Sequence, residues 1–138
     1  MTSFFLKCVP PKTTSQQKGV MIIGGKPRFF KKKKIESSER LLSLMLAQHR
    51  PAEPIGGALI VSVDWVYPWL LCHTKADKAK GRIPCDTRPD VDNLCKTLMD
   101  CMTKVGFWSD DAQVASLLFR KWWGEESGIG ITIDQWRN

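Results

Sequence analysis

The sequence predicts an α+β fold: a single compact domain over residues 1–138, with a mixed or antiparallel sheet and two main helices packed on one of its faces. Three observations predict it. Short, β-branched runs with alternating apolar residues occur near both ends of the chain and in its middle. Two segments repeat their apolar residues at helical spacing instead, one on each side of the central run. Finally, 138 residues with 43% hydrophobic content suffice for one core and leave no room for a second.

In chain order, Phe4 to Val9 reads as a first strand, stopped by Pro10 and Pro11. Lys18 to Ile23 and Arg28 to Lys32 flank Gly24-Gly25, a pair suited to a hairpin turn. Ser37 to His49 forms the first helix. Ser37 or Ser38 caps it, Leu41, Leu42, Leu44, Met45 and Leu46 give it a wide apolar face, and Pro51 stops it. Ala58 to Val66 alternates as a central strand should. Tyr67 to Pro89 is a polar, basic loop carrying Lys75, Lys78, Lys80, Arg82 and Arg88. The second helix runs from about Val91 to Val105, because Val91, Leu94, Cys95, Leu98, Met102 and Val105 recur on one face and Gly106 ends it. Gln113 to Trp122 and Ile129 to Ile133 are two closing strands, so the order is β, ββ, α, β, α, β, β.

Charge narrows the partner. Twenty-one Lys and Arg against 14 Asp and Glu leave a net charge of +7, which favours a polyanion without distinguishing DNA from RNA or an anionic membrane surface. The longest apolar run, Val66 to Cys72, is broken by Pro68 and is too short to span a bilayer. Lys7 and Pro10 cut the N-terminal apolar run, so no signal peptide is expected. Five cysteines with no C-x-x-C spacing predict free, buried thiols in a reducing cytoplasm. Cys72, His73 and Cys85 lack a fourth ligand for a zinc site.

The chemistry sits in Arg88-Pro89-Asp90-Val91-Asp92-Asn93-Leu94-Cys95-Lys96, followed by Ser109-Asp110-Asp111-Ala112-Gln113. Asp90 precedes the second helix and Asp92 lies in its first turn, so the two carboxylates can converge on one cation; Lys96 follows one turn along the same face. Carboxylates gathered this way raise one another's pKa, and a hard divalent cation such as magnesium removes that penalty. A phosphodiester oxygen can then replace a metal-bound water, with Lys96 stabilising charge on the phosphate or orienting the nucleophile. The helix is about 22 Å long at ~1.5 Å per residue, so the next strand must run back alongside it if Asp111 is to reach Asp90 and Asp92. By spacing alone the same residues also fit helix capping, a surface ladder of Asp92, Lys96, Asp100 and Lys104, and an ordinary turn at Asp110-Asp111.

Together with Gly106-Phe107-Trp108-Ser109-Asp110-Asp111-Ala112-Gln113-Val114, the first stretch resembles the signature of the RusA family. The resemblance implies a small, homodimeric, magnesium-dependent endonuclease that resolves four-way (Holliday) DNA junctions, encoded by a bacterium or a phage. It implies that Asp90, Asp92, Lys96 and Asp111 are catalytic and that Asp90, Asp92 and Asp111 hold Mg²⁺, or Mn²⁺; Asp110 is a neighbour of open role. The specific motifs cover residues 88–114, and a looser layout covers most of the chain. Departures lie in the basic loop 73–87 and the Trp-rich tail.

The branched DNA would meet Lys12, Lys18, Lys31, Lys32, Lys33, Lys34, Lys80, Arg82 and Arg88 through its phosphates, although consecutive lysines also serve simply to blunt a strand edge. No membrane and no small-molecule cofactor are expected, and the site of action is the cytoplasm, at the nucleoid. Trp65 and Trp108 belong to the core, and one of Trp122 and Trp123 faces outwards. The alternative is a non-catalytic protein that binds branched or single-stranded DNA through the same basic surface. A nucleotide-sugar transferase built on D-x-D leaves the basic excess unexplained.

Overall fold

The computed structural model describes residues 1–12, 18–31 and 33–138, with the backbone alone at 18–23, 27–31 and 33–35. In chain order the elements are β1 (Thr2–Lys7), β2 (Lys18–Ile23), β3 (Lys26–Lys31), α1 (Lys33–Ala47), β4 (Leu59–Pro68), α2 (Lys75–Ala79), β5 (Arg82–Pro84), α3 (Val91–Val105), β6 (Val114–Gly124) and β7 (Gly128–Gln135). A single 3-10 turn, Asp111–Gln113, leads into β6. The main sheet is mixed, in the order β1-β7-β4-β6-β5; β2 and β3 pair as a separate hairpin. Among the described strands only β4 and β6 pair in parallel, and the chain between them supplies the crossover through α2, β5 and α3. This is the α+β domain expected from the sequence.

Alternation in β4 sends Leu59, Val61, Val63, Trp65 and Tyr67 to one face, where all five are buried. Ile129, Ile131 and Ile133 of β7 extend that face, and α1 (Leu42, Leu46) and α3 (Leu94, Leu98, Met102) cover it. Trp65 and Trp108 are in this core as expected. Trp123 is buried on the same face, whereas Trp122 points to the other and donates its Nε1–H to Asp64 at 2.8 Å. On that opposite face the Arg120 guanidinium clasps the Asp64 carboxylate with two bonds, 2.9 and 3.1 Å long. Gly128 has φ +154°, and a Cβ there would overlap the Leu6 carbonyl and the Phe5 ring, so the approach of β1 to β7 requires glycine.

Two local expectations are corrected. The first helix begins at Lys33 rather than Ser37, so Ser37 and Ser38 lie inside it: Lys33, Lys34, Ile35 and Glu36 carry no breaker, and packing of Leu42 and Leu46 sustains the turn before them. The basic loop is also partly ordered. Thr74 and Asp77 close a reciprocal capping box, which starts the short helix α2. No helix among the described residues is long and apolar enough to cross a membrane.

Candidate active site

Helix α3 opens on Asp90, whose backbone is extended (φ −71°, ψ 146°) and whose carboxylate makes no capping bond. The capping explanation for this aspartate therefore fails, and its side chain stands exposed together with Asp92 and Lys96. Nor is the surface ladder formed: among the described residues the salt bridges join Arg82 and Arg120 to Asp64, and none joins Asp92 to Lys96. The segment entering the helix is held from elsewhere. Lys121 of β6 donates its Nζ protons to the Pro89 carbonyl at 2.6 Å and to the Thr87 carbonyl, while the Cys85 N–H donates to the Lys121 carbonyl at 2.9 Å. Sequence reasoning missed Lys121. The available signal was its register: alternation puts it on the core face between Phe119 and Trp123, where a lysine needs acceptors.

At the other end of α3, Gly106 closes the helix with φ +102° and Asp110 begins the 3-10 turn. Here the carboxylate does cap, accepting from the Ala112 N–H at 2.9 Å. Gln113 braces the loop: its Oε1 accepts from the Ser109 and Asp110 N–H groups at 3.0 and 3.2 Å, and its Nε2 donates to the carbonyls of Ile55 and Gly57, each at 3.0 Å. Asp110 is thus committed to the backbone, and Asp111 is the exposed acid that remains.

β6 does run back alongside α3, the condition set for Asp111 to reach Asp90 and Asp92. From Val114 to Lys121 it covers about 23 Å at ~3.3 Å per residue, matching the helix length of about 22 Å. Yet Asp111 precedes the strand, so the residue delivered to the helix mouth is Lys121. Within one chain Asp90 and Asp92 therefore stand at one end of α3, and Asp111 at the other. Among the described residues no group of three His, Cys, Asp or Glu side chains is close enough to hold a metal ion.

The acids at the helix mouth have basic company. Arg82 in β5, Lys80 and Arg88 are exposed at that end of the sheet. Lys12 places its ammonium over the rings of Tyr67 and Trp123, 5.6 and 6.0 Å from their centroids. Lys18 starts β2, Lys31 ends β3, and Lys33 and Lys34 open α1; Lys32 lies outside the described residues. Burial drives the Cys95 thiol up to about 11, helped by the negative charge of Asp92. Of the five free thiols Cys85 and Cys101 are buried, but Cys72 is exposed, contrary to expectation, because it sits at the tip of a turn.

The exposed acids and their flanking cations are displayed on helix ends rather than inside a cavity, on a basic α+β domain. The chain belongs to the RusA family: the model described as endodeoxyribonuclease RusA matches residues 9–134. It is 33% identical over 131 residues to the crossover junction endodeoxyribonuclease rusA of Lactococcus phage r1t, covering 89% of each chain. It is 32% identical over 101 residues to the uncharacterized protein YqaN of Bacillus subtilis, covering 69% of this chain and 70% of that one. Against the crossover junction endodeoxyribonuclease RusA of Escherichia coli K12 the match is denser but shorter: 56% over 39 residues, 25% of this chain and 32% of the relative.

Proposed function

We propose that this chain is a magnesium-dependent endonuclease that resolves four-way DNA junctions as a homodimer, acting on nucleoid DNA in the cytoplasm of a bacterium. The observation that carries the reading is the uncapped, exposed carboxylate pair at the mouth of α3, in a chain of the RusA family. Asp90, Asp92 and Asp111 offer only hard oxygen donors, a set that fits Mg²⁺ or Mn²⁺ and has no thiolate or imidazole to favour zinc. Such an ion, when bound, polarises the scissile phosphate and acidifies an attacking water. Lys96, one turn into α3, lies where its ammonium can meet charge building on the phosphate. Lys121 fixes the carbonyls beside Asp90 and so the direction from which that carboxylate is presented. Lys12, Lys80, Arg82 and Arg88 hold the neighbouring phosphates, joined by the lysines 18 and 31–34.

The separation of the acids gives the dimer its purpose. Along Val114–Arg120, β6 has β4 on one side and no strand on the other among the described residues, because β5 reaches only Trp122 to Gly124. Leu117 and Leu118, at the middle of this edge, are 38% and 52% exposed. Antiparallel pairing of two such edges about residues 117 and 118 carries Asp111 of one protomer towards the Asp90 and Asp92 end of its partner, and the reverse. Two sites follow, one for each of two opposed strands.

The test is cleavage of a synthetic four-way junction and a linear duplex, with Mg²⁺ and with EDTA, beside the Asp92→Asn variant. Metal-dependent paired nicks on the junction alone, lost in the variant, are expected; tight binding without nicks under any metal would leave only a DNA-binding protein. Mixing inactive Asp92→Asn with inactive Asp111→Asn tests the shared site. A site built across two chains regains about a quarter of wild-type sites, since half the dimers are mixed and each holds one intact set. A site built within one chain regains nothing.

A further inference from the structure

The turn that leaves β4 is built unlike an ordinary surface turn. Its ends are pinned: the Leu70 N–H donates to His73 Nδ1 at 2.8 Å, and the His73 N–H donates to the Leu70 carbonyl at 3.1 Å. The His73 ring packs against Trp69 and Trp123 with centroids 5.2 and 5.3 Å away, and Trp69 donates its Nε1–H to Glu125 at 3.0 Å. Trp123 is itself buried, so the base of the turn is rooted in the sheet. At the tip, where turns usually place Asn, Asp or Gly, stand Leu71 and Cys72. Leu71 is fully exposed, and Leu70 is 41% exposed.

One exposed leucine is unremarkable on a protein surface. A leucine on a braced turn, followed at once by cations, is a different object. Lys75 and Lys78 of α2, then Lys80 and Arg82, are all exposed. The acid among them, Asp77, has its carboxylate occupied by the Thr74 N–H at 3.0 Å. The position is equally specific. Pro68 pairs with Gly124, and Arg82 pairs with the same glycine from the other side, three residues beyond the Lys121 that holds Pro89. Turn and cations therefore share the end of the sheet that carries Asp90 and Asp92.

We infer that the turn Trp69–His73 and helix α2 form a strand-parting arm: Leu71 inserts among the bases at the branch point, while Lys75, Lys78 and Lys80 grip the phosphates of the adjoining duplex. Apolar side chains that enter base steps in this way unstack them, and a rigid mounting spares the arm the cost of ordering itself on contact. This inference rests on the junction-resolving reading and adds to it the element that opens the substrate.

The experiment uses the full chain and a four-way junction with 2-aminopurine at the branch point, in Ca²⁺ so that binding is read without cleavage. Binding is expected to raise the fluorescence severalfold. Leu71→Ser, a change at a fully exposed position, is expected to abolish most of that rise and to slow nicking in Mg²⁺, with junction affinity within about twofold, and Leu71→Met is expected to restore both. Lys75→Gln with Lys78→Gln is expected to lower the slope of log affinity against log salt by roughly 2, about one for each phosphate contact. A full fluorescence rise and normal nicking in Leu71→Ser overturns the inference. So does a Leu71→Ser defect confined to self-association or to binding of phosphatidylglycerol vesicles, which would assign the turn to a dimer contact or to a lipid surface. If the unaltered chain neither binds nor nicks the junction, the parent reading falls and takes the arm with it.

Discussion

The two ends of helix α3 carry acids in opposite states of engagement. At the N-terminal end Asp90 occupies the capping position without capping, and the chain before it is held by Lys121 from a separate strand. At the C-terminal end Asp110 caps its own turn, Gln113 braces that turn to residues 55–57, and Asp111 is left over. Position in a motif thus does not decide role. An aspartate whose oxygens are satisfied by backbone N–H groups shapes a loop, and one held in place by other residues while its oxygens face water is available for chemistry.

The largest expected effect breaks this contrast at its acidic core. Asp92→Asn and Asp111→Asn each lower junction nicking by roughly 100-fold or more, while Asp110→Asn, which still caps, leaves it nearly unchanged. Steady-state nicking beside thermal melting checks this; equal losses at Asp110 and Asp111 would erase the distinction. Next comes Lys121→Met, which strips the Pro89 and Thr87 carbonyls of their donor. A loss of roughly 1–3 kcal/mol in denaturant unfolding is expected, with nicking reduced more than junction affinity because the presentation of Asp90 is loosened. At the other end Gln113→Ala removes the brace and costs about 1–3 kcal/mol, whereas Asp110→Ala costs about 1 kcal/mol; chemical denaturation of both variants ranks them.

The smallest effect concerns Cys95. Its thiol ionises near the ordinary 9 when unfolded but at about 11 in the fold, because burial and Asp92 oppose the thiolate. Stability from this group is therefore full below pH 9 and declines as pH rises from 9 to 11, since the unfolded chain releases the proton first. Cys95→Ser is expected to flatten part of that alkaline decline, read as melting temperature against pH; an identical slope would show that Cys95 is not its source.

How much of this was legible beforehand depended on how local each feature is. The bounds of α3 were readable to the residue, since its apolar period and Gly106 are both written within 16 positions. The start of α1 was not, because Ser37 imitates a cap that packing of Leu42 and Leu46 overrides. The short elements α2 and β5 hide inside a polar stretch whose capping pair, Thr74 and Asp77, is easily taken for loop. Residue types at the helix mouth signalled the acids and the helix length raised the separation of Asp90 from Asp111, but which end of α3 keeps Asp111 was settled by the parallel pairing of β4 with β6, which fixes where β6 starts. Lys121 joins residues 32 and 34 positions away, a relation that periodicity does not report.

The pairing of β1 with β7 has a consequence for how the molecule is made. Thr2 faces Ile133 and Lys7 faces Gly128, and among the described residues β1 occupies the edge of the sheet with no strand on its other side. On the ribosome β1 emerges before its partner β7 and must wait for it, so the hairpin β2–β3 and the helices between them can form before this ladder closes. Slow, late closure of this long-range ladder is the expected final step of folding.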